Sequence, residues 1–436
     1  MKTATAMVGR AWWTVGLLSL LYVLSFIDRL ILALLVSPLK ADLGVSDLQL
    51  GLLFGPAFGL FYAAIGLPLA RLADRGNRRI LVVCGVLLWG AATVLSGFAG
   101  SFALLVALRI GLAIGEAALT PAAHSMIGDL FPPQRRSLAA SIYSAVGQGG
   151  AYAGFILGAA VVRGMEAMLP GSGDYRFSAW QLTLFAVGIP SIVVALVFAF
   201  TTREPPRLGA KAAATLGEVR AYLRQHVRLY AGLLAGAGLL QAIPYAWTAW
   251  APEYMRRNLD VTIQQAGTSF GVVGLIAAFA GSVAFPLLTR RLEHAGRPDA
   301  LAQVSMLGVI GGSVLTWLAV QQSQVEPFLA LLGLSMFFTQ GGSINVLVGM
   351  QVLAPPHMRA TLVASVLLSI TLLGMCIGPP VSAAIAARLS ATGEGLGEGI
   401  GVLAALLAIP CLALLAMTRR GLRERNAGEL VTAASQ

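Results

Sequence analysis

The strongest constraint on this chain is a series of long apolar runs separated by turn residues. A helix needs about 20 mainly apolar residues to cross a bilayer, and twelve runs in the sequence have about that length. Charged residues make up only 11 % of the chain, whereas soluble globular proteins carry about 25 %. The sequence therefore predicts an all-α membrane protein with twelve transmembrane helices. We call them spans 1 to 12 and predict them near residues 12–36, 48–70, 79–99, 102–128, 137–162, 179–201, 229–251, 266–289, 300–320, 327–352, 361–387 and 399–418.

The distribution of Lys and Arg predicts the orientation. With both termini in the cytoplasm, 22 of the 30 basic residues lie on the inner side, 6 on the outer side and 2 within spans. Cytoplasmic loops retain such an excess of positive charge, so we expect both termini inside. The short loops and the Ala/Gly/Arg-rich composition favour a bacterial inner membrane.

The chain divides into two halves of six spans each. The predicted division is an N-terminal six-helix bundle at 1–201, a cytoplasmic linker at 202–228, a C-terminal six-helix bundle at 229–418 and a cytoplasmic tail at 419–436. Similar segments, Leu130–Arg136 and Leu353–Arg359, enter spans 5 and 11. Repeats of six helices are one way in which membrane proteins build a central cavity.

The linker carries a helical pattern. Leu216, Val219, Leu223 and Val227 recur at helical spacing opposite a series of arginines. This pattern favours an amphipathic helix on the inner membrane face, although an ordinary solvated linker is the alternative.

The loop after span 2 reads Ala70-Arg-Leu-Ala-Asp-Arg-Gly-Asn-Arg-Arg79. It resembles the G-x-x-x-D-R-x-G-R-R signature of the major facilitator superfamily, with Ala70 and Asn77 at the two glycine positions. The resemblance implies a secondary transporter that works by alternating access. Independently of it, an acid followed by arginines can form charged contacts with a helix end and stabilise one of two arrangements. We therefore assign a gating role to Asp74, Arg75, Arg78 and Arg79, while retention of positive charge alone would explain most of the arginines.

Span 5 contains glycines at four-residue spacing. Gly147, Gly150, Gly154 and Gly158 allow close helix approach, as expected where two halves move against each other. Ordinary packing of small residues is the alternative, and the proline that is frequent in this stretch of the superfamily is missing.

Spans 1 and 4 carry a closer resemblance. Ser25-Phe-Ile-Asp-Arg29, then Arg109, Gly115-Glu-Ala117 and Gly128-Asp-Leu-Phe131, are similar to segments of the spinster-like transporters. That resemblance implies substrates such as lysophospholipids or sphingolipid-type signals. Organic-anion symporters of the same superfamily share similar segments, so an organic-anion or drug transporter is the alternative.

Four ionisable residues lie within the predicted spans: Asp28, Arg29, Arg109 and Glu116. Charges in a membrane normally pair and face a cavity, and these four sum to zero. Helical geometry predicts that Arg109 and Glu116 share one face with Thr120 and His124. We expect Arg109 to pair with carboxylates and assign all four charged residues to proton coupling. A static ion-pair network is the alternative, and sequence leaves open which of Asp28 and Arg29 faces the cavity.

The corresponding second-half helices carry amides and aromatics in place of charges. Substrate binding is predicted for Thr120, His124, Gln241, Tyr245, Trp247, Phe337, Gln340 and Asn345. A charged first half facing an aromatic second half would suit a solute with an ionic head and an apolar tail. The alternative is that the aromatics only pack against lipid or neighbouring helices, and Trp250 suits an interfacial belt.

Other functional classes fit poorly. No HExxH, G-x-S-x-G or paired-aspartate metal motif occurs near a membrane face, and the loops are too short for a catalytic domain. Cys84, Cys376 and Cys411 lack metal or disulfide spacing. We therefore expect no enzymatic activity, cofactor, metal or nucleic-acid partner. A monomer whose partners are the lipid bilayer, protons and a small amphiphilic substrate is predicted.

Overall fold

The computed structural model describes residues 2–169, 175–207, 216–355, 357–390 and 395–434. These residues form eighteen α-helices and no strand. The first nine are α1 (Lys2–Leu30), α2 (Val36–Leu43), α3 (Asp47–Phe54), α4 (Pro56–Arg75), α5 (Arg78–Ser96), α6 (Phe102–Ala117), α7 (Leu119–Leu130), α8 (Pro133–Ala167) and α9 (Ala179–Thr201). The others are α10 (Leu216–Gln225), α11 (Val227–Ala231), α12 (Ala237–Asn258), α13 (Ile263–His294), α14 (Ala300–Ala319), α15 (Val325–Leu353), α16 (Arg359–Ser369), α17 (Cys376–Leu389) and α18 (Leu396–Ala434).

The membrane-spanning helices match the predicted number. Eleven helical stretches in the described residues are long and apolar enough to cross a membrane. Helix α8 bends by 40° between Gly147 and Gly149. If its two parts together form one span, α8 is the twelfth membrane-spanning helix. Most spanning helices extend slightly beyond the predicted apolar runs, and some of their ends are set by a side-chain cap. Asn77, for example, begins α5 by accepting the backbone N–H of Ile80 at 2.9 Å. The predicted all-α fold is confirmed.

Two compact units make up the chain. Unit 1 comprises Met1–Ala210 and Val261–Val272, and unit 2 comprises Lys211–Asp260 and Val273–Gln436. The boundary falls inside the segment 202–228 that sequence assigns to the linker.

The glycine series of α8 contacts α1 within unit 1. A β-carbon on Gly147 would overlap the ring of Tyr22, and one on Gly154 would lie 3.5 Å from the backbone nitrogen of Ile27. Small residues therefore let these two helices approach closely. The contacts belong to packing inside one unit, so they do not support the sequence-based link to motion between the halves.

The predicted linker helix is shorter than its pattern suggested. Helix α10 ends at Gln225. Val219 is buried and packs with Leu229 of α11 inside unit 2. Val227 lies beyond the helix and is 54 % exposed. Part of the apolar side thus contacts protein, which the sequence pattern did not distinguish from a membrane-facing surface.

Two helix ends in unit 1 determine where the charged residues lie. Helix α1 ends at Leu30 and continues as the 3₁₀ turn Ile31–Leu34, so Asp28 and Arg29 occupy its last turn. The last carbonyls of a helix lack intrahelical partners. Span 4 is interrupted at Ala118 between α6 and α7.

Candidate functional site

An ion pair between α1 and α6 forms the centre of the candidate site. The Nη2 and Nε atoms of Arg29 donate to Glu116 Oε2 at 2.5 and 3.1 Å. The Glu116 side chain is 1 % exposed, whereas the Arg29 side chain is 15 % exposed. Of the two neighbouring charged residues, Arg29 is therefore the one that faces Glu116 of α6. Arg29 also presents the accessible edge of the pair.

Three aromatic rings surround the Arg29 guanidinium. Its central carbon lies 4.4 Å from the ring centroid of Phe58, 5.1 Å from that of Phe26 and 5.3 Å from that of Tyr62. Cations over aromatic faces are attracted by the ring quadrupole. The rings belong to α1 and α4, so aromatic surface lies beside the charges in unit 1. The sequence pattern predicts aromatic surface only in the second half.

Arg109 does not pair with a carboxylate side chain among the described residues. Its Nη2 donates to the backbone carbonyl of Arg29 at 2.6 Å, and its Nη1 lies 3.5 Å from that of Asp28. These carbonyls belong to the last turn of α1, which needs external donors. Arg109 thus caps α1, and the expected pairing of Arg109 with the acids is wrong.

Asp28 points away from Arg29, toward α5 and α9. Its Oδ2 accepts the hydroxyl proton of Ser191 at 2.8 Å, whereas its Oδ1 is buried without a hydrogen-bond partner. Both Asp28 and Arg109 line a cavity of about 10 Å³ together with Thr93 and Ser96, about the room that one water molecule needs. The two acids of the site therefore have different surroundings, one next to a cation and one next to hydroxyls.

Thr120 and His124 follow on α7, beyond the helix break. Thr120 is half-buried and His124 is exposed. The His124 ring packs edge-on against Tyr143, with 5.2 Å between centroids, and Tyr143 stacks on Tyr22 at 5.0 Å. His124 therefore extends the aromatic surface of unit 1, and no described contact joins it to the charged residues.

The signature loop divides into a buried and an exposed part. Arg78 is fully buried. Its guanidinium forms an ion pair with Asp129 and another with Glu204 at 2.6 Å, and it donates to the carbonyl of Pro205 at 2.8 Å and to Ser125 Oγ at 3.1 Å. Arg78 thus joins the ends of three helical segments of unit 1.

The neighbouring signature residues are held less firmly. Arg79 donates its backbone N–H to Glu204 at 2.8 Å and its side chain to the carbonyl of Ala199. Asp74 and Arg75 are exposed. Glu204 was not singled out from the sequence, although an acid placed directly before Pro205 marked a possible partner for the arginines.

The second half brings two predicted amides together. Gln241 donates to Gln340 at 3.0 Å, and both side chains are half-buried. Tyr245 lies one turn after Gln241 on α12 and is also half-buried. Phe337 packs against Phe338 with 5.4 Å between ring centroids. These four predicted residues are partly accessible within unit 2.

Two predicted binding residues of the second half lie in the protein core instead. Trp247 is fully buried and donates to Thr316 at 3.3 Å. Asn345 is 1 % exposed; its amide donates to Ser305 at 3.0 Å, and its oxygen accepts from Thr289 at 2.8 Å. Their polar groups are satisfied by packing partners, so the geometry gives substrate binding by these two residues no support.

Two further expectations about α12 are corrected. Trp250 donates to the carbonyl of Pro379 at 3.0 Å and is fully buried, so it is not part of an interfacial belt. The second half also contains a buried charge in this helix. Glu253 is fully buried and pairs with Arg256 at 2.9 Å and Arg257 at 2.6 Å. Glu253 lies just beyond the predicted end of span 7 at residue 251.

Comparison with known proteins identifies the family. The family model of the Major Facilitator Superfamily matches residues 18–379. The chain belongs to this superfamily. It is 30 % identical to an MFS-type efflux pump of Mycolicibacterium smegmatis over 74 % of this chain and 73 % of the relative. It is 27 % identical to a sphingosine-1-phosphate transporter of Mus musculus over 80 % of this chain and 65 % of the relative.

Solved structures support the same fold. A crystal structure of a bacterial homolog of the human lysosomal transporter spinster, in an inward-facing and unoccupied conformation, matches with a TM-score of 0.80. The identity is 24 %, and the match covers 95 % of this chain and 97 % of that one. The spinster-like resemblance and the two-bundle superfamily fold are thus confirmed. The chain is a multi-pass membrane transporter and not an enzyme.

Proposed function

We propose that the protein is a proton-coupled secondary active transporter of an amphiphilic, lipid-like solute of the lysophospholipid or sphingolipid type. The observation that carries this proposal is the Arg29–Glu116 pair, in which a partly exposed cation holds a buried acid at 2.5 Å. Such a pair can exchange its partner for a substrate anion.

Substrate binding and protonation are linked through Arg29 in this proposal. An anionic head group would approach the exposed edge of Arg29 and compete with Glu116 for the guanidinium. A buried carboxylate that loses its cation is costly, so Glu116 takes up a proton when the substrate arrives. Departure of the substrate returns Arg29 to Glu116 and releases that proton.

Asp28 is the second proton-carrying residue in the proposal. It lies in a different pocket from Glu116, with Ser191 as its hydroxyl partner and room for about one water molecule. The carbonyls beside Asp28 are fixed by Arg109. Arg109 is therefore a positioning residue that keeps the end of α1 in place while the two acids change their protonation states.

The apolar tail has a surface close to the proposed head-group site. Phe26 and Tyr62 flank Arg29, and Tyr22 continues the surface toward Tyr143. Rings next to a cation suit a molecule with one charged end and one apolar end. The similarity to a sphingosine-1-phosphate transporter supports the same substrate class.

Uptake into liposomes under an imposed pH gradient tests the coupling. We expect Glu116→Gln and Asp28→Asn each to abolish gradient-driven uptake, because an amide has the shape of the acid but cannot cycle a proton. Glu398→Gln is the control, since that acid is exposed. Normal uptake by both site variants at every pH would show that the carboxylates are structural.

Binding of lysolipids of graded chain length tests the substrate class. Thermal stabilisation should increase with chain length and decrease for Arg29→Gln and Tyr62→Ala. Trp247→Phe is the matched aromatic control, since that ring lies in the core. Stabilisation that does not depend on chain length would contradict the lipid assignment.

An organic-anion or drug transporter is the second candidate. The small exposed part of Arg29 would also accept a compact anion, and the efflux-pump relative supports this class. Tight binding of a compact organic anion, together with indifference to lysolipids, would favour it.

Cytoplasmic termini in the inner membrane of a bacterial cell, and a monomeric state, remain part of the proposal. Cysteines introduced at Gly171 and Gly395 should react with impermeant thiol reagents in intact cells, and one at Gly209 should not. Positions 171 and 209 lie outside the described residues. Labelling at 209 from outside would reverse the orientation, and cross-linking into dimers at low density would contradict the monomer.

A further inference from the structure

A cavity of about 600 Å³ lies in unit 2, where residues 222–229 meet residues 421–425 of α18. It is far along the chain from the Arg29–Glu116 pair, and the transport proposal makes no use of it. Its walls include Tyr222, His226 and Arg228 on one side and Glu424 and Arg425 on the other. The cavity therefore joins the linker helix region to the C-terminal helix.

The charges of this cavity favour an anion. Two arginines face one acid there. Arg228 lies 3.2 Å from Glu424, but their side chains are 69 % and 59 % exposed, and pairs this exposed contribute little. An incoming anion can therefore displace Glu424 from Arg228 at low cost. A guanidinium offers parallel N–H groups that match phosphate oxygens.

The cavity also lies at the first residue of a helical stretch long and apolar enough to cross a membrane. Val227, another wall residue, is the first residue of the span Val227–Asn258 and is 54 % exposed. An exposed apolar side chain beside two arginines offers both kinds of contact that a phospholipid needs, one for its acyl chains and one for its phosphate. Basic residues next to a transmembrane helix attract anionic lipids.

We propose that this cavity binds the phosphate group of an anionic membrane phospholipid. Arg228 and Arg425 hold the phosphate from the two sides, and the acyl chains run past Val227 into the bilayer. The lipid is a resident of the cavity rather than a transported solute, and it ties α11 to α18. A soluble phosphate ester offers the same head-group chemistry without the chains.

Lipid binding to the full-length protein in neutral detergent tests the proposal. Native mass spectrometry would count bound phosphatidylglycerol against phosphatidylcholine. We expect a preference for the anionic lipid and a loss of about tenfold or more in affinity for the double variant R228Q/R425Q, since each arginine near a membrane surface contributes to lipid attraction. The variant E424Q should bind phosphatidylglycerol more tightly, because the competing acid is gone.

The control is the double variant R220Q/R224Q, which removes the same charge from α10 but leaves the cavity wall intact. Equal losses in both double variants would reduce the effect to general surface charge and overturn the proposal. Displacement of phosphatidylglycerol by inorganic phosphate or glycerol phosphate at similar concentration would assign the cavity to a soluble anion instead. No solute gradient is involved, so this outcome is independent of the transport tests.

Discussion

Removing the Arg78 side chain should destabilise unit 1 far more than removing Arg75, although both arginines belong to the same signature loop. Arg78 is 1 % exposed and holds the carboxylates of Asp129 and Glu204. Arg75 is exposed. The comparison separates a buried charge network from simple retention of positive charge.

The magnitude follows from the contacts of Arg78. Removing one partner of a buried ion pair costs about 3 to 5 kcal/mol. The Asp129 and Glu204 side chains are 17 % and 26 % exposed, so water can solvate part of each carboxylate once the arginine is gone. We therefore expect Arg78→Ala to lower the free energy of unfolding by about 3 kcal/mol. Arg78→Lys should lose about half of that, since an ammonium keeps the charge but not the fork of donors. An exposed residue such as Arg75 should cost less than about 0.5 kcal/mol.

Thermal unfolding of the purified protein in one detergent gives the measurement. A loss of about 3 kcal/mol in a unit of this size corresponds to a fall in Tm of roughly 6 to 12 °C. The order Arg75→Ala, Arg78→Lys, Arg78→Ala should show increasing destabilisation. Equal Tm values for Arg75→Ala and Arg78→Ala would refute the network. If Arg78→Lys had the same Tm as Arg78→Ala, the positive charge of Arg78 would not be what stabilises unit 1.

Three further outcomes are expected from thermal unfolding. Burial alone would raise the pKa of Asp299, but hydrogen bonds and charge from Arg419 and its neighbours lower the pKa below its usual value. Asp299→Asn should therefore lower the free energy of unfolding by about 1 kcal/mol at neutral pH. This difference between the variant and the parent should disappear as acid titrates the folded carboxylate. Gly147→Ala should destabilise by about 1 to 3 kcal/mol because the new methyl group meets the Tyr22 ring, whereas Gly→Ala in an open helix position would be neutral or stabilising. Asn345→Leu should destabilise the protein without a specific loss of substrate affinity. A selective loss of affinity at unchanged stability would show that Asn345 contacts the substrate.

Sequence patterns were sufficient to predict the spans, because every helix that crosses the lipid bilayer must be long enough and apolar enough to do so. They were insufficient for the charged site, since Asp28 and Arg29 are neighbours that point about 100° apart on a helix. A count of the buried charges also does not reveal that Arg109 can donate hydrogen bonds to the backbone carbonyls at the end of α1. That requirement depends on where the helix ends, which apolar periodicity does not determine.

The second half shows a different limit. An amide in a span can line a cavity or satisfy its neighbours, and both give the same sequence signal. Asn345 proved to be bonded to Thr289 and Ser305 from two other helices. Glu204 was overlooked for a related reason, because its partner Arg78 lies 126 residues earlier and no local pattern connects them.

The long separation within the Arg78 network has a consequence for synthesis. Asp129 follows Arg78 by 51 residues and Glu204 by 126. At about 5 to 20 residues per second, the ribosome makes the nearer acid within roughly 3 to 10 s and the farther one within roughly 6 to 25 s. During that interval the nascent chain has a basic helix end with one of its two acids. The first bundle can close this network only after its sixth span has been translated, and the described partners of the Arg78 side chain all belong to that bundle.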